Sequence, residues 1–100
     1  MKYSLTTKNI QLPEADIKLL DKKLERLEKH LRPPFQTDVV LRHDRHHRTG
    51  DTVTCIVNIK QRGSVFHAQR VGKSAQEALD EVIAALKKEL VKNREKRRGS

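Results

Sequence analysis

The sequence predicts an α+β fold. Two helices should cover one face of a four-stranded mixed sheet in a two-layer sandwich of order β-α-β-β-β-α. Segments 13–31 and 74–98 place apolar residues at steps of three and four, the spacing of amphipathic helices. Four other segments alternate apolar and polar residues, as strands with one buried face do. These segments are 3–8, 37–45, 52–60 and 64–71.

The first helix follows a short strand that runs from Tyr3 to Lys8. Pro13 suits the first turn of a helix, and Arg32-Pro33-Pro34 should end it because proline cannot continue the hydrogen-bond ladder. A helix that connects two strands of one sheet makes them parallel, with a right-handed crossover. The buried stripe of this helix should consist of Ile17, Leu20, Leu24, Leu27 and Leu31.

The remaining strands are joined by short connections and should pair antiparallel. A polar loop, 46–51, separates the second strand from the third, and Gln61-Arg62-Gly63 is predicted to be a hairpin turn. The third strand alternates most clearly, and its buried face should carry Val53, Cys55, Val57 and Ile59.

The last helix begins at a capping box, in which Ser74 and Glu77 satisfy free backbone donors. Its two halves carry opposite charge, in the order that the helix dipole favours. Acidic residues occupy the first half, and the second half presents a cationic rod suited to phosphate backbones. The basic residues are Lys87, Lys88, Lys92, Arg94, Lys96, Arg97 and Arg98, against Glu89 and Glu95. Its apolar stripe should be Ala75, Ala78, Leu79, Val82, Ile83, Leu86 and Leu90.

Composition also favours a nucleic-acid partner. One hundred residues suit a single domain, here 1–98, followed by a two-residue tail that is native or left by cloning. The net charge is +9, and the pI of about 10.1 exceeds the pI of about 9 that marks nucleic-acid binding. One cysteine, Cys55, permits no internal disulfide and is expected to be buried as a small hydrophobe. No apolar stretch is long enough to span a membrane, and no signal peptide is evident, so a cytoplasmic location is expected.

A second basic segment lies at the end of the second strand and in the loop that follows. It contains Arg42, Arg45, His46, His47 and Arg48, which suit phosphate or RNA-groove contacts. Metal binding by His43, His46 and His47 is the alternative. Their spacing matches no usual zinc motif, and no second ligand pair follows, so no metal or other cofactor is predicted.

The sequence offers little for catalysis or for base stacking. It contains no Gly-rich phosphate loop and no nucleophile motif. Its aromatic residues are Tyr3, Phe35 and Phe66, too few for a platform that stacks single-stranded bases. A non-enzymatic binder of folded RNA, with no small-molecule substrate, is therefore expected.

The order of elements resembles a double-stranded-RNA-binding domain with an added first strand. The sequence more specifically resembles the short ribosome hibernation promoting factors, also called ribosome-associated inhibitors or subunit-interface proteins. The resemblance rests on Leu24-Glu25-Arg26-Leu27-Glu28-Lys29, Val39-Val40-Leu41-Arg42, His67-Ala68 ahead of Gly72, and the helix pattern from Ala78 to Lys96. At the start of the last helix the family usually has Asp-x-Tyr, where this chain has Ser74-Ala75-Gln76, and Arg70 replaces a usual small residue.

This resemblance implies binding to small-subunit rRNA in the channel between head and body. There the protein would overlap messenger and transfer-RNA positions and idle the ribosome under stress or in stationary phase. The basic family positions correspond to Arg42, Arg45, Lys88, Lys92, Arg94 and Lys96. Because no further apolar segment follows the basic helix, a monomer acting on single ribosomes is expected. The alternatives are a general double-stranded-RNA binder acting off the ribosome and a metal-dependent RNA-processing protein that uses the histidine loop.

Overall fold

Four strands and two helices follow one another in the predicted order. The computed structural model of the protein describes residues 3–45 and 50–99, and their side chains as far as residue 93. The predicted α+β class and β-α-β-β-β-α order are confirmed. The elements are β1 (Ser4–Lys8), α1 (Glu14–Glu28), β2 (Phe35–Asp44), β3 (Thr52–Gln61), β4 (Ser64–Gly72) and α2 (Ala75–Gly99).

The sheet has the strand order β1-β2-β3-β4, so each strand pairs with its neighbour in the sequence. The pair β1–β2 is parallel, as the helical crossover predicts, and the other two pairs are antiparallel. Val39 lies opposite both Leu5 and Val57, and Val57 lies opposite Ala68. This row of side chains crosses all four strands on the buried face.

The core lies between that face and the two helices, which both cover it as predicted. Leu20, Leu24 and Leu27 of α1 are at most 2% exposed. The contribution of α2 is the buried set Ala78, Leu79, Val82, Leu86 and Leu90. Both predicted stripes are therefore confirmed, although Ile17, Ala75 and Ile83 are only half-buried at their margins.

Leu31 belongs to the core but not to the helix, which corrects the predicted helix end. The helix ends at Glu28, and the next two residues form a turn. Hydrogen bonds from Leu31 N to Glu28 O and from His30 N to Leu27 O tighten this end. Leu31 nevertheless remains buried, with only 7% of its surface exposed. The chain folds back towards β3 here, and the side chain of Gln61 accepts a hydrogen bond from Arg32 N.

The turn between β3 and β4 has two residues rather than the predicted three. Gln61 pairs with both Phe35 and Ser64 and is the last residue of β3. Arg62 and Gly63 have φ of 40° and 80°, and positive φ at both positions defines the tight turn that best matches the twist of paired strands.

The predicted capping box at the start of α2 is formed, with one difference. Glu77 N donates a hydrogen bond to Ser74 Oγ at 3.1 Å. The Glu77 carboxylate accepts from Lys73 N at 3.1 Å, one residue before the cap, and not from Ser74 N. The cap therefore also holds the short connection between β4 and α2.

Ser74→Ala should lower the free energy of unfolding by about 1 kcal/mol, because it leaves a helix N–H without its side-chain acceptor. Ser74→Asp should retain most of the stability, since a carboxylate accepts the same hydrogen bond and suits the helix N-terminus. Urea denaturation of the three proteins measures both effects. Equal midpoints for the wild-type and Ala proteins would show that the cap contributes nothing.

Cys55 is fully buried in β3, and it faces the core. Burial raises the pKa of its thiol to about 12. A thiol with that pKa is protonated at neutral pH and is a poor nucleophile. The interpretation of Cys55 as a small core hydrophobe is therefore supported by its burial.

Candidate nucleic-acid interface

The cationic half of α2 presents exposed lysines beside the buried stripe. Lys87, Lys88 and Lys92 are all exposed. In the part of the chain with described side chains, none of the three forms an ion pair, and Glu89 does not neutralise them. Their ammonium groups are thus available to an external anion.

The backbone of α2 continues as a helix past these lysines to Gly99. Its 25 residues correspond to about 37 Å of helix, more than the nine residues of β4 can span. The predicted contact residues Arg94, Lys96, Arg97 and Arg98 lie on this part of the helix. Their side chains fall outside the described residues.

Arg42 of the second basic segment is less available than the sequence suggests. Its Nε donates to the Asp44 carboxylate at 3.1 and 3.2 Å, and Thr54 Oγ1 donates to the same carboxylate at 3.1 Å. The contacts with Asp44 hold the guanidinium in place and partly offset its charge, although the side chain is 40% exposed. Arg45 follows β2 and is exposed. The predicted contacts His46, His47 and Arg48 lie outside the described residues.

Two of the histidines that the structure describes, His43 and His67, have polar partners. His43 Nε2 lies 3.3 Å from the carboxylate of Asp51, and His67 Nδ1 lies 2.5 Å from the side-chain oxygen of Asn58. Within residues 3–45 and 50–93, no group of three potential metal ligands comes together. The alternative prediction, metal binding by His43 with His46 and His47, involves two residues that lie outside the described ones.

Of the described residues in the two basic segments, Arg42 and Lys88 lie at opposite ends and on opposite faces of the sheet. Gly72, two residues before Ser74, pairs with Val53, which pairs with His43, so α2 starts near the Arg42 end. The helix then packs back along β4 and β3. Lys88 therefore lies about 20 Å from Ser74 along the axis of α2. Arg42 alternates with buried Leu41 and projects from the uncovered face. The structure therefore does not bring Arg42 and Lys88 onto one surface.

A cationic groove between α1 and α2 was not foreseen. Lys23, Arg26 and His30 of the α1 region line it together with Lys87. Lys23, Arg26 and His30 step by three and four beside the leucine stripe, so the sequence contained a signal for a shared face. That signal does not predict a groove by itself, because the sequence does not show which helix lies opposite.

These features define an α+β domain with exposed cationic surfaces and a long basic helix. Residues 3–98 match the family model described as Sigma 54 modulation protein / S30EA ribosomal protein. The chain belongs to this family, which comprises ribosome-associated hibernation and subunit-interface factors that are not enzymes. The resemblance inferred from the sequence is confirmed.

Two solved structures have a similar fold. The Protein Y N-terminal domain of Thermus thermophilus has a TM-score of 0.72 and 16% identity, over 90% of this chain and 96% of that chain. A ribosomal subunit interface protein of Coxiella burnetii has a TM-score of 0.75 and 19% identity, over 94% and 98%. At these identities the likeness concerns the fold alone. Comparison with curated proteins gives no match.

Among the described residues, no helix has both the length and the apolar character needed to cross a bilayer.

Proposed function

We propose that this protein silences translation by binding rRNA of the small ribosomal subunit in the decoding channel. Bound there, it blocks messenger and transfer-RNA sites under stress or in stationary phase, in the cytoplasm where ribosomes work. The observation that carries the proposal is the set of exposed lysines on α2, Lys87, Lys88 and Lys92, in a chain of a ribosome-associated family. The name of the Coxiella burnetii relative, a ribosomal subunit interface protein, agrees with association with the ribosome.

The binding mechanism is electrostatic and needs no chemical step. Lysines and arginines that neutralise phosphates release condensed counterions, and this release favours complex formation. Contacts to phosphates position a protein without reading sequence, which suits recognition of one folded RNA by shape. The scarcity of aromatic side chains agrees with this mode, because stacking on bases requires aromatic surfaces.

The separation of Arg42 from the described lysines of α2 suggests two contact regions on the RNA. Arg42 and Arg45 lie at the end of the sheet where α2 begins. The lysines of α2 lie about 20 Å or more from that point along the helix axis. We propose that each end contacts a different RNA segment, with Arg42, Arg45, His46, His47 and Arg48 at one end and Lys87, Lys88, Lys92, Arg94, Lys96, Arg97 and Arg98 at the other. A rigid domain held at both ends fills the space between them and blocks it sterically.

Co-sedimentation with separated ribosomal subunits tests this function. We expect the protein to pellet with small subunits at low salt and to be released as salt increases, with a weaker association with large subunits. Prior binding of a messenger fragment and initiator transfer RNA should reduce its association. Equal binding to both subunits and to an unrelated RNA duplex would instead support a general double-stranded-RNA binder.

A further inference from the structure

We propose that the groove between α1 and α2 is a nucleotide-binding subsite. Its cationic rim would hold the phosphate, and its apolar floor would contact the sugar or base. The nucleotide is presented by an RNA strand or arrives as a free nucleotide. The RNA source rests on the proposed function, whereas the free-nucleotide source does not.

The rim has more positive than negative charge. Lys23, Arg26 and Lys87 line the groove with a single acid, Asp80. Lys23 forms an ion pair with Asp80 across the two helices, so these two charges offset each other. Arg26 and Lys87 form no ion pair within the described side chains. Two cations from different helices therefore remain available to a phosphate group.

The floor is apolar, which distinguishes this groove from a simple charged surface. Leu27 and Ile83 form part of its lining, and Leu27 is only 2% exposed. The groove has a volume of about 350 Å³, within the range of about 300–1,000 Å³ that is common for small-molecule sites. An apolar floor below a cationic rim matches a ligand that has both a flat apolar part and a phosphate.

His30 gives a second reason to expect a polar ligand. It lines the groove at its α1 end, and its Nδ1 atom is buried without a hydrogen-bond partner within the described residues. Buried polar atoms in folded proteins are nearly always paired, and an unpaired one requires an explanation. A shift of the ring towards a bound ligand would relieve this unmet requirement.

Because Lys23 pairs with Asp80 across the groove, the affinity of the site for phosphate should depend on the charge of Asp80. A phosphate entering the rim competes with the Asp80 carboxylate for Lys23. Removing that carboxylate should therefore strengthen phosphate binding. Glu81, the next residue of α2, is exposed and does not line the groove, and it offers a control with the same change in charge.

The test is an NMR titration of the full chain with three probes: ADP, pyrophosphate and a five-nucleotide single-stranded RNA. We expect saturable shifts of Leu27 and Ile83 with ADP or the RNA, and weaker binding of pyrophosphate. Arg26→Gln should weaken the binding about three- to tenfold, whereas Lys29→Gln, which removes an exposed charge outside the groove, should have little effect. Asp80→Asn should strengthen it, and Glu81→Gln should not.

Each outcome has a defined meaning. Binding of ADP identifies a free-nucleotide site, and binding of the RNA alone identifies a nucleotide of an RNA strand. Pyrophosphate binding as tight as ADP, equal effects of Arg26→Gln and Lys29→Gln, or no saturable shift with any probe would overturn the proposal. Thermal denaturation of each variant checks folding, and small-subunit sedimentation of the wild-type protein tests the proposed function separately.

Discussion

Leu86→Ala should lower the free energy of unfolding by about 2–5 kcal/mol. Leu86 is 0% exposed and lies in the middle of the buried stripe of α2, between that helix and the sheet. Truncation removes buried methyl groups and leaves a cavity that packed neighbours fill only in part. For a domain of this size, the loss should lower the thermal midpoint by at least about 8 °C.

Two controls on the same helix separate burial from helix propensity. Lys87→Ala changes the adjacent exposed residue, and Val91→Ala truncates an apolar side chain that is 36% exposed. Both should cost little, because alanine is a good helix former and little packing is lost. Calorimetry on the three variants measures the differences. If Leu86→Ala resembled either control, the orientation of α2 on the sheet would be wrong.

Replacing Lys88, Lys92 and Arg94 together with Ala should weaken binding to small subunits strongly and flatten its salt dependence. Each lost phosphate contact should reduce the log–log salt slope by about 0.7–0.9. Three contacts would therefore remove roughly two to three units of slope, and the affinity loss should be largest at low salt. Binding measured at several salt concentrations gives both quantities.

A matched control tests whether position or net charge matters. Lys18, Lys22 and Lys29 are exposed on the α1 side, and their triple Ala variant has the same change in net charge. This control should retain most of the salt slope, because these residues lie outside the proposed contact set. Circular dichroism should show folded helices in both variants. The same loss in both would mean that binding depends on total charge and not on the α2 surface.

Most of the fold could be read from the sequence, because its signals are local and periodic. The leucine stripe of α1, the alternation of β3 and the cap at Ser74 each depend on residues a few positions apart, and all three are present in the structure. The family resemblance rested on the same kind of local pattern. The contact in which Asp44 partly offsets the charge of Arg42 could also have been predicted, since residues two apart share a strand face.

The element ends were less predictable where long-range contacts decide them. Leu31 occupies its predicted place in the core, yet α1 ends three residues earlier, and the chain is held there by a bond to Gln61. Gln61 in turn belongs to β3 because it pairs with Phe35, which is 26 positions away. Periodicity predicts which residues are buried, but it does not indicate which distant partner will hold them.

The sequence by itself determined the two layers, the core residues and the concentration of positive charge on the last helix. Tertiary structure decided where those charges lie relative to one another. The direction of α2 back along the sheet separates Lys88 from Arg42, and the packing of α1 against α2 pairs Lys23 with Asp80 across 57 positions of sequence. The physical reason is that side-chain periodicity is a property of one element, whereas a groove exists only when two elements pack together.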